Sequence, residues 1–406
     1  MYDVAIVGAG AGGLVSAVKL KSEHPELSVV LLEKLDRVGK KLITTGNGRC
    51  NITNKFASIR NYHTENTDFV KNVFDRYFVD DAISFFSSIG TEIIFEEDGR
   101  GYPASLQASS VVDCLRFACE ENGVKIITDF AVDDIIFGEN ITVQSKTDKI
   151  TAKSVILSAG LYSGGEKSGS DGSIFKILKN KGFKTVKTTP SIVQLKTENT
   201  LTRQLKGIKV NAKATIVSNN QKRSEFGEVL FTEYGLSGPP ILQISRIAAL
   251  PGEKTVYLDL FPDYSKENLC ELLQNRRKNL IKRKNENFLV GLVNKRVGQV
   301  VLKTSNIDWQ SFVGELTDFD ISKITDALKN LSFKVSGDTG FVNSQVTAGG
   351  ISLDEIDLNM QSKKHKGLFL CGELLDVDGD CGGYNLQWAW SSSFAAADGV
   401  KKYLGV

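Results

Sequence analysis

Three glycines near the N-terminus have the spacing that points most directly to chemistry. Gly8, Gly10 and Gly13 form the pattern G-x-G-x-x-G directly after a short apolar run. Gly8 permits a sharp turn, Gly10 lets a pyrophosphate approach the backbone because it has no Cβ atom, and Gly13 lets a helix pack against the preceding strand. The free N–H groups at the start of that helix then face the phosphates. The pattern predicts a dinucleotide-binding turn, against the alternative of a chance glycine-rich turn.

An acidic residue after the next predicted strand completes this pattern. The apolar stretch from Ser28 to Leu32 predicts a strand that ends at Glu33, at about the distance of 20 residues that the dinucleotide fingerprint requires. Glu33 would bind the hydroxyl pair of a ribose. For the ADP half of the cofactor we therefore predict contacts from Gly8, Gly10, Gly13 and Glu33, and we add their neighbours Ala11, Gly12, Lys34 and Lys41 to the cofactor-binding set.

A loop rich in glycine and asparagine follows the second strand. It runs from Thr44 to Asn54 and offers backbone N–H groups and planar donors at Gly46, Gly48, Arg49 and Asn51. Such a loop could line one side of a bound cofactor. Its residues alone favour this interpretation and that of a surface turn equally.

Two later strands end in small or acidic residues. The stretch from Ser154 to Gly160 predicts a buried parallel strand, whose end at Ala159 and Gly160 belongs near the cofactor because ligands sit at the carboxyl ends of parallel strands. Gly367 to Gly372 predicts a last buried strand, with Glu373 directly after it. Glu373 could bind the ribityl chain and the pyrophosphate side of a flavin dinucleotide.

The end of the chain predicts a second helix that opens on the same ligand. A loop from Asp376 to Gln387 precedes a predicted helix from Trp388 to Tyr403. Positive charge at a helix N-terminus near Asn385 and Leu386 would suit the pyrimidine edge of a flavin, where negative charge develops on reduction. The remaining predicted contacts are Gly372 and Gly383 in this region and the main chain of Val132, which could meet an adenine.

Composition excludes several classes of protein. The chain has 406 residues, 41% of them apolar and 24% charged, and its formal net charge is +2. This balance gives no electrostatic indication of a nucleic-acid or membrane partner, and the basic clusters 276–278 and 282–284 are interpreted as a solvated face. Six cysteines and three histidines lack the spacing of a disulfide framework or a metal site. With no leader-like start and no membrane-length apolar run, we expect a cytoplasmic protein.

The pattern of elements changes in the middle of the chain. Strands and helices alternate before about Pro190, whereas polar alternation typical of antiparallel strands follows it, and the lysine-rich stretch from Ser265 to about Asp326 is mostly helical. We predict an α/β dinucleotide-binding domain over 1–189 and 346–406. The inserted domain covers 190–345 and includes a helical subdomain at about 265–330.

Five motifs together resemble the bacterial BaiN-like family of NAD(P)/FAD-dependent oxidoreductases. The resemblance runs from end to end and rests on the glycine fingerprint and on Thr45–Asn54, Phe231–Pro239, Val346–Gly350 and Gly382–Ala389. It implies FAD as cofactor and a Rossmann-like, glutathione-reductase-type FAD domain interrupted by an inserted β-barrel domain. We therefore add Gly48, Arg49, Cys50 and Asn51 to the cofactor-binding set, and expect the last three beside the middle of the cofactor. Members have been linked to bile-acid ring reduction and to aminoacetone oxidation, so the resemblance indicates the cofactor better than the reaction.

The chain departs from the family pattern at two places. Cys381 stands where a threonine commonly precedes the Gly-Gly-Tyr-Asn run, and three serines follow Trp390 where Ser-Ser-Gly is expected. The first departure would place a thiol where a hydroxyl points at the cofactor. The second is interpreted as a tolerated packing change.

No side chain stands out as the catalytic group, because the flavin itself carries the chemistry. Cys50 and Tyr384 are weak candidates, and Tyr102 shares with Tyr384 the alternative of proton donor or packed aromatic. Redox roles for Cys50, Cys371 or Cys381 compete with simple packing, which the absence of C-x-x-C favours. We expect His24, His63 and His365 at the surface.

The sequence is compatible with three functions. The first is an NAD(P)H-linked flavin reductase or dehydrogenase of a small organic substrate bound between the FAD domain and the insert, with NADH or NADPH as a transient reductant. The second is a flavin amine oxidase that passes electrons from an aminoacetone-like amine to oxygen. The third, an RNA-modifying flavoprotein, is disfavoured by the balanced charge. The sequence predicts no nucleic-acid or membrane partner and leaves the oligomeric state open.

Overall fold

The computed structural model describes residues 1–198, 200–218 and 221–406. These residues form two compact units. The first unit consists of Met1–Pro190 and Phe341–Val406, and the second of Ser191–Gly340. The assignment of functional domains to 1–189 with 346–406 and to 190–345 stays a prediction.

The first unit is a layered α/β structure. Its strands are β1 (Tyr2–Val7), β2 (Val29–Leu32), β3 (Thr53–Asn54), β4 (Tyr62–His63), β5 (Ile93–Phe95), β6 (Arg100–Pro103), β7 (Lys125–Ile127), β8 (Val132–Ile136), β9 (Ile141–Ser145), β10 (Lys149–Leu157), β11 (Thr185–Ser191), β18 (Val346–Ile351), β19 (Leu368–Leu370) and β20 (Asp378–Gly379). Its helices are α1 (Ala11–Glu23), α2 (Thr67–Phe74), α3 (Val79–Ser88), α4 (Ala108–Glu121), α5 (Ser173–Asn180) and α11 (Tyr384–Leu404).

A central sheet in the order β7-β2-β1-β10 organises this unit. These strands are parallel, β19 pairs parallel with the end of β10, and β9 and β8 continue antiparallel from its start. The parallel strands are apolar and almost fully buried from Val4 to Val7 and from Val29 to Leu32, as expected where both faces of a sheet are covered. The predicted Rossmann-type fold is therefore confirmed.

Helix α11 begins four residues earlier than the sequence predicted. The sequence predicted a loop that continues to Gln387, and this prediction is wrong at its end because the helix starts at Tyr384. The residue before the helix, Gly383, has a φ of +96°, a backbone conformation that favours glycine. The helix is buried along most of its length. Two of its indoles donate to main-chain oxygens, Trp390 Nε1 to Ile52 at 2.8 Å and Trp388 Nε1 to Gly372 at 3.2 Å.

The second unit contains a closed antiparallel barrel in the order β12-β15-β14-β13-β16-β17. The barrel strands are β12 (Leu195–Thr197), β13 (Lys209–Ser218), β14 (Gln221–Phe231), β15 (Gly235–Ser237), β16 (Lys254–Asp259) and β17 (Leu331–Asp338). The helices of the unit are α6 (Leu201–Gln204), α7 (Pro239–Ile244), α8 (Lys266–Asn279), α9 (Lys295–Thr304) and α10 (Asp318–Lys329). The barrel and the last three helices have separate apolar cores, so the predicted β-barrel is confirmed.

The described residues contain neither a membrane-spanning helix nor a cluster of metal ligands. No helix in 1–198, 200–218 or 221–406 combines the length and the apolar character needed to cross a membrane. The same residues contain no group of three or more His, Cys, Asp or Glu side chains that could hold a metal ion.

The barrel core provides a direct test of the packing. Phe333 and Phe231 are fully buried, with ring centroids 5.8 Å apart. We predict that Phe333→Ala lowers the free energy of unfolding by about 3–5 kcal/mol, because it leaves a cavity that cannot close fully. Phe226→Ala is the matched control, since Phe226 lies in the same barrel with 65% of its surface exposed, and it should change the value by less than about 0.5 kcal/mol. Urea denaturation followed by far-UV circular dichroism measures both, and equal losses would contradict the assigned core.

Candidate functional site

The turn after β1 is fixed by close contacts of its glycines. A Cβ atom at Gly13 would lie 1.9 Å from the carbonyl oxygen of Gly8, and one at Gly8, whose φ is +97°, would lie 2.7 Å from the oxygen of Ser158. A Cβ atom at Gly10 would meet nothing within 4 Å. Helix α1 begins here, and no side chain caps its N-terminus. The turn therefore leaves open space in front of uncapped N–H groups, which is the form of a phosphate cradle.

Glu33 lies beside this cradle at the end of β2. Its Oε2 accepts a hydrogen bond from the N–H of Ala9 at 2.9 Å, and its Oε1 accepts one from Leu35 at 3.0 Å. Burial raises the pKa of Glu33, although the bonds from Leu35 and Ala9 act in the other direction. Each carboxylate oxygen keeps a second lone pair, so the side chain can still accept hydrogen bonds from the hydroxyl groups of a ribose.

Two further predicted contacts surround Glu33. Lys34 forms an ion pair with Asp171, with Nζ and Oδ2 2.8 Å apart, and Asp171 belongs to the loop before α5. The segment that leads to Val132 passes the same strand end, since Phe130 N–H donates to the carbonyl oxygen of Glu33 at 2.9 Å. The structure thus brings together the residues predicted for the ADP half.

A polar network follows at the ends of β10 and β19. Lys41 Nζ lies 2.5 Å from Glu373 Oε2 and 2.6 Å from Ser163 Oγ. Glu373 Oε1 accepts from Ser163 Oγ at 2.5 Å and from the N–H of Thr347 at 2.8 Å. A Cβ atom at Gly160 would lie 3.8 Å from Glu373 Oε2. Sequence reasoning named Lys41, Gly160 and Glu373 but missed Ser163 and Thr347, although Thr347 lies within one of the family motifs.

The glycine- and asparagine-rich loop contacts the start of α11. With its amide oriented to meet its neighbours, Asn51 donates to the carbonyl oxygens of Thr53 at 2.9 Å and Gly101 at 3.2 Å, and accepts from the N–H of Gly383 at 3.0 Å. The backbone has positive φ at Gly48 and Cys50. The predicted loop residues and the glycines before α11 therefore form one contiguous region.

The side chain of Asn385 has a structural use. Its Oδ1 accepts from the N–H of Gly379 at 2.8 Å, and its Nδ2 donates to the oxygens of Gly379 at 2.8 Å and Asp380 at 3.2 Å. These bonds hold the preceding loop against the helix. A contact of Asn385 or Leu386 with a cofactor would therefore come most directly from the backbone N–H groups at the start of α11, and it stays a prediction.

Two arginines act on the hydroxyl of Tyr102 beside this loop. Arg49 Nη2 donates to the Tyr102 hydroxyl at 3.2 Å, while its guanidinium lies 4.2 Å from the centre of the ring and pairs with Glu96 at 2.9 Å. Burial raises the pKa of Tyr102, although the charges of Arg49 and Arg100 lower it. The phenol is therefore protonated at neutral pH, with positive charge placed to stabilise the phenolate if the proton leaves.

The thiols of the motif regions lie in environments that keep them protonated. Cys50 is fully buried, and burial raises its pKa to about 12. Burial also raises the pKa of Cys371 and of Cys381, in the latter case against the charge of Arg100. None of these three cysteines forms a disulfide with another described residue. Since the thiolate is the reactive form, these surroundings favour packing over a redox role.

The three histidines are partly exposed. His24, His63 and His365 are half-buried, so each has some surface in contact with solvent while part of its ring is packed. His63 lies 3.0 Å from Asp380 Oδ1, and the ring of His365 stacks on Phe137 at a centroid distance of 3.7 Å. Both are held by contacts with segments far away in the sequence, which no local pattern reveals.

The residues fit FAD. The open space at Gly10 would admit a pyrophosphate that a Cβ atom would block, and Glu33 would bind the adenosine ribose. Lys41 and Glu373 offer a cation and a carboxylate where a pyrophosphate and a ribityl chain follow. The region of Asn51 and Gly383 would then hold the ring.

Comparisons with known proteins agree with this geometry. The chain is 32% identical to the 3-dehydro-bile acid delta(4,6)-reductase of Clostridium scindens, over 98% of both chains. It is also 28% identical to the ribosomal RNA dihydrouridine synthase of Haemophilus influenzae, again over 98% of both. The chain is an FAD-dependent oxidoreductase of the Rossmann type. A family model described as the HI0933-like protein Rossmann domain matches residues 2–399, so the chain belongs to this family.

A solved structure supports the fold alone. The chain aligns with Escherichia coli quinol fumarate reductase at a TM-score of 0.52, with 15% sequence identity, over all of this chain and 70% of the other. At this identity the likeness carries no information about substrate.

Two glycine variants test whether the turn after β1 binds the pyrophosphate of FAD. We predict that Gly10→Ala folds normally but loses most of its FAD, because the added methyl group enters open space needed by the pyrophosphate. Gly13→Ala should instead lower the thermal midpoint, because its Cβ atom would meet the oxygen of Gly8. Flavin absorbance per protein after gel filtration and a thermal scan of each apoprotein distinguish the two effects. Full FAD retention in Gly10→Ala would place the pyrophosphate elsewhere.

Proposed function

We propose that the protein uses NADH or NADPH to reduce a carbon–carbon double bond conjugated to a carbonyl group. The observation that carries the proposal is the hydroxyl of Tyr102, which accepts a hydrogen bond from Arg49 Nη2 at 3.2 Å beside the loop that contacts the start of α11. Two relatives support the reaction class. A 3-dehydro bile acid with delta(4,6) unsaturation and a uridine both present a double bond conjugated to a carbonyl, and the names of both enzymes describe its reduction.

The reaction needs one hydride and one proton. FAD, when bound, would supply the hydride chemistry between a nicotinamide and the β-carbon of the substrate. The protein must supply the proton for the α-carbon. Tyr102 donates it in this proposal, and the guanidinium groups of Arg49 and Arg100 stabilise the phenolate that remains. The double bond becomes single and the nicotinamide is oxidised, so electrons and protons balance.

Anaerobic stopped-flow spectroscopy tests the proposed reaction class. NADH or NADPH should bleach the flavin absorption, and mixing the bleached protein with cyclohexenone or a 3-dehydro delta(4,6) bile acid should restore it. Aminoacetone is the control for the amine-oxidase alternative and should not bleach the flavin. Bleaching by aminoacetone alone, with peroxide on admission of air, would replace the reductase by an oxidase.

The role of Tyr102 gives a separate prediction. Tyr102→Phe should slow restoration of the flavin absorption by the enone about 10²–10⁴-fold, the usual contribution of a general acid, and leave bleaching by the nicotinamide unchanged. Tyr384→Phe is the comparison variant, since Tyr384 is the other candidate donor. An unchanged rate in Tyr102→Phe together with a slowed rate in Tyr384→Phe would transfer the role to Tyr384.

The pH dependence follows from the direction of the pKa shift. A donor must be protonated to act, and the pKa of Tyr102 is raised above the ordinary tyrosine value of about 10. The wild-type rate of reoxidation by the enone should therefore be flat through neutral pH and fall only above about pH 10. A profile measured by stopped flow that falls near pH 7 would assign the proton to another group.

A further inference from the structure

The segment around His63 holds the loop that leads into α11. Strand β4 pairs antiparallel with β20, so that His63 lies opposite Asp378. After β20, Asp380 N–H donates to the carbonyl oxygen of Asn61 at 2.9 Å, and His63 Nε2 lies 3.0 Å from Asp380 Oδ1. The side chain of Asn385, in the first turn of α11, donates to the carbonyl oxygen of Asp380 at 3.2 Å. The pair of His63 and Asp380 is therefore tied directly to the start of this helix.

The two members of this pair are buried to different degrees. The side chain of Asp380 is 11% exposed, whereas that of His63 is 26% exposed. The imidazole can therefore exchange a proton with solvent, while the carboxylate lies behind it. Histidine is the side chain that ordinarily changes its charge between about pH 5 and 8. The pair is consequently negative when the imidazole is neutral, and it has no net charge when the imidazole is protonated.

The charge of Asp380 acts on groups at the start of α11. Burial raises the pKa of Tyr384, the first residue of the helix, and the negative charge of Asp380 raises it further, against the charge of Arg100. Burial also raises the pKa of Cys381, where Arg100 acts in the opposite direction and Asp380 adds to the rise. The hydroxyl of Tyr62 is buried, and the charge of Asp380 adds to the rise of its pKa by burial. The potential at the first turn of α11 thus depends in part on Asp380.

The other titratable groups around His63 keep one charge near neutral pH. Besides Asp380 they are Tyr62 and Asp378 in the paired strands, Glu65 and Asp376 beyond β4, and Cys381 and Tyr384 at the start of α11. The two phenols and the thiol stay neutral because their pKa values are raised, and carboxylates are ordinarily ionised in this range. Arg100 stays charged and is paired with Asp98 at 3.1 Å. Within this set, His63 is the group that ordinarily changes its charge near neutral pH.

We propose that the protonation state of His63 determines how readily bound FAD is reduced. This inference rests on the proposed function, since it takes the flavin ring as lying at the start of α11. Reduction places negative charge on the ring, which the N–H groups of the first turn of the helix would stabilise. The carboxylate of Asp380 opposes that charge while the imidazole is neutral, and protonation of the imidazole removes the opposition. His63 thus acts through Asp380 and donates no proton to the substrate.

Reduction and proton binding are then linked. The nicotinamide supplies a hydride, which is two electrons and one proton, to the flavin, and one further proton from solvent binds to the imidazole of His63. Because the reduced cofactor favours the protonated imidazole, the protonated imidazole favours reduction by the same factor. Lowering the pH through the range in which His63 gains its proton should therefore favour reduction. Couplings between two sites commonly amount to about 5–150-fold, and we expect about tenfold here.

Anaerobic reduction by dithionite against a reference redox dye measures this linkage on the FAD-containing protein without any substrate. Between about pH 8.5 and about pH 5.5, the equilibrium of the wild type should shift towards reduced flavin about tenfold more than that of His63→Gln. Glutamine can keep a hydrogen bond to Asp380 but cannot take up a proton, so a purely structural role of His63 would leave this variant like the wild type. Asp380→Asn should favour reduction about tenfold over the wild type at about pH 8.5, because the opposing charge is removed.

His24→Gln is the matched control for loss of a histidine. His24 also pairs with a carboxylate, at 3.0 Å from Glu26 Oε1, but it follows the end of α1 that is opposite to the phosphate cradle. This variant should show the pH dependence of the wild type. The proposal would be overturned by equal pH dependence in the wild type and His63→Gln, by its loss in both histidine variants, or by an unchanged equilibrium in Asp380→Asn.

Failure of the proposed function would give a different result. A protein with the expected linkage that reduces no conjugated double bond would disprove the proposed reaction alone. A protein that reduces enones, but whose flavin is reduced equally readily in the wild type and in His63→Gln at both pH values, would disprove the role of His63 alone.

Discussion

The first unit depends on the contact between the first turn of α1 and the turn after β1. No side chain fits at Gly13, because a Cβ atom there would lie 1.9 Å from the oxygen of Gly8. A Cβ atom at Gly12 would likewise lie 2.5 Å from Ser158 Oγ and 2.7 Å from Ser393 Oγ. The helix is therefore pressed against β1, the end of β10 and α11 at once. This packing places uncapped N–H groups over the carboxyl end of the sheet and brings Ala9 within reach of Glu33.

Features coded by neighbouring residues were predictable from the sequence. The strand, turn, helix and acid around Gly8 to Glu33 follow one another within a single stretch, so spacing alone indicates them. The long barrel strands β13 and β14 carry an alternating pattern that predicts antiparallel pairing. The closed barrel was predicted only from the family resemblance. Closure of a sheet into a barrel depends on which strands pair with each other, and the pattern of a single strand does not reveal this.

Features built by distant residues could not be predicted in this way. Lys41 meets Ser163 across 122 positions and Glu373 across 332, and no local pattern links them. Strand β9 was missed for a similar reason, since its residues form a strand by pairing antiparallel with β10 at the edge of a sheet expected to be parallel. The start of α11 was misplaced because the loop before it is held by Asn385 and Asn51 through contacts that exist only in the folded chain.

The two units differ in how their charges are matched. In the first unit, Lys41 faces Glu373 and Lys34 faces Asp171, so these charges are paired within the fold. In the second unit, Lys282 and Arg283 are exposed, and neither forms an ion pair with a carboxylate in the described part of the chain. The net charge of the whole chain cannot distinguish these two cases, because acidic residues elsewhere cancel the local excess.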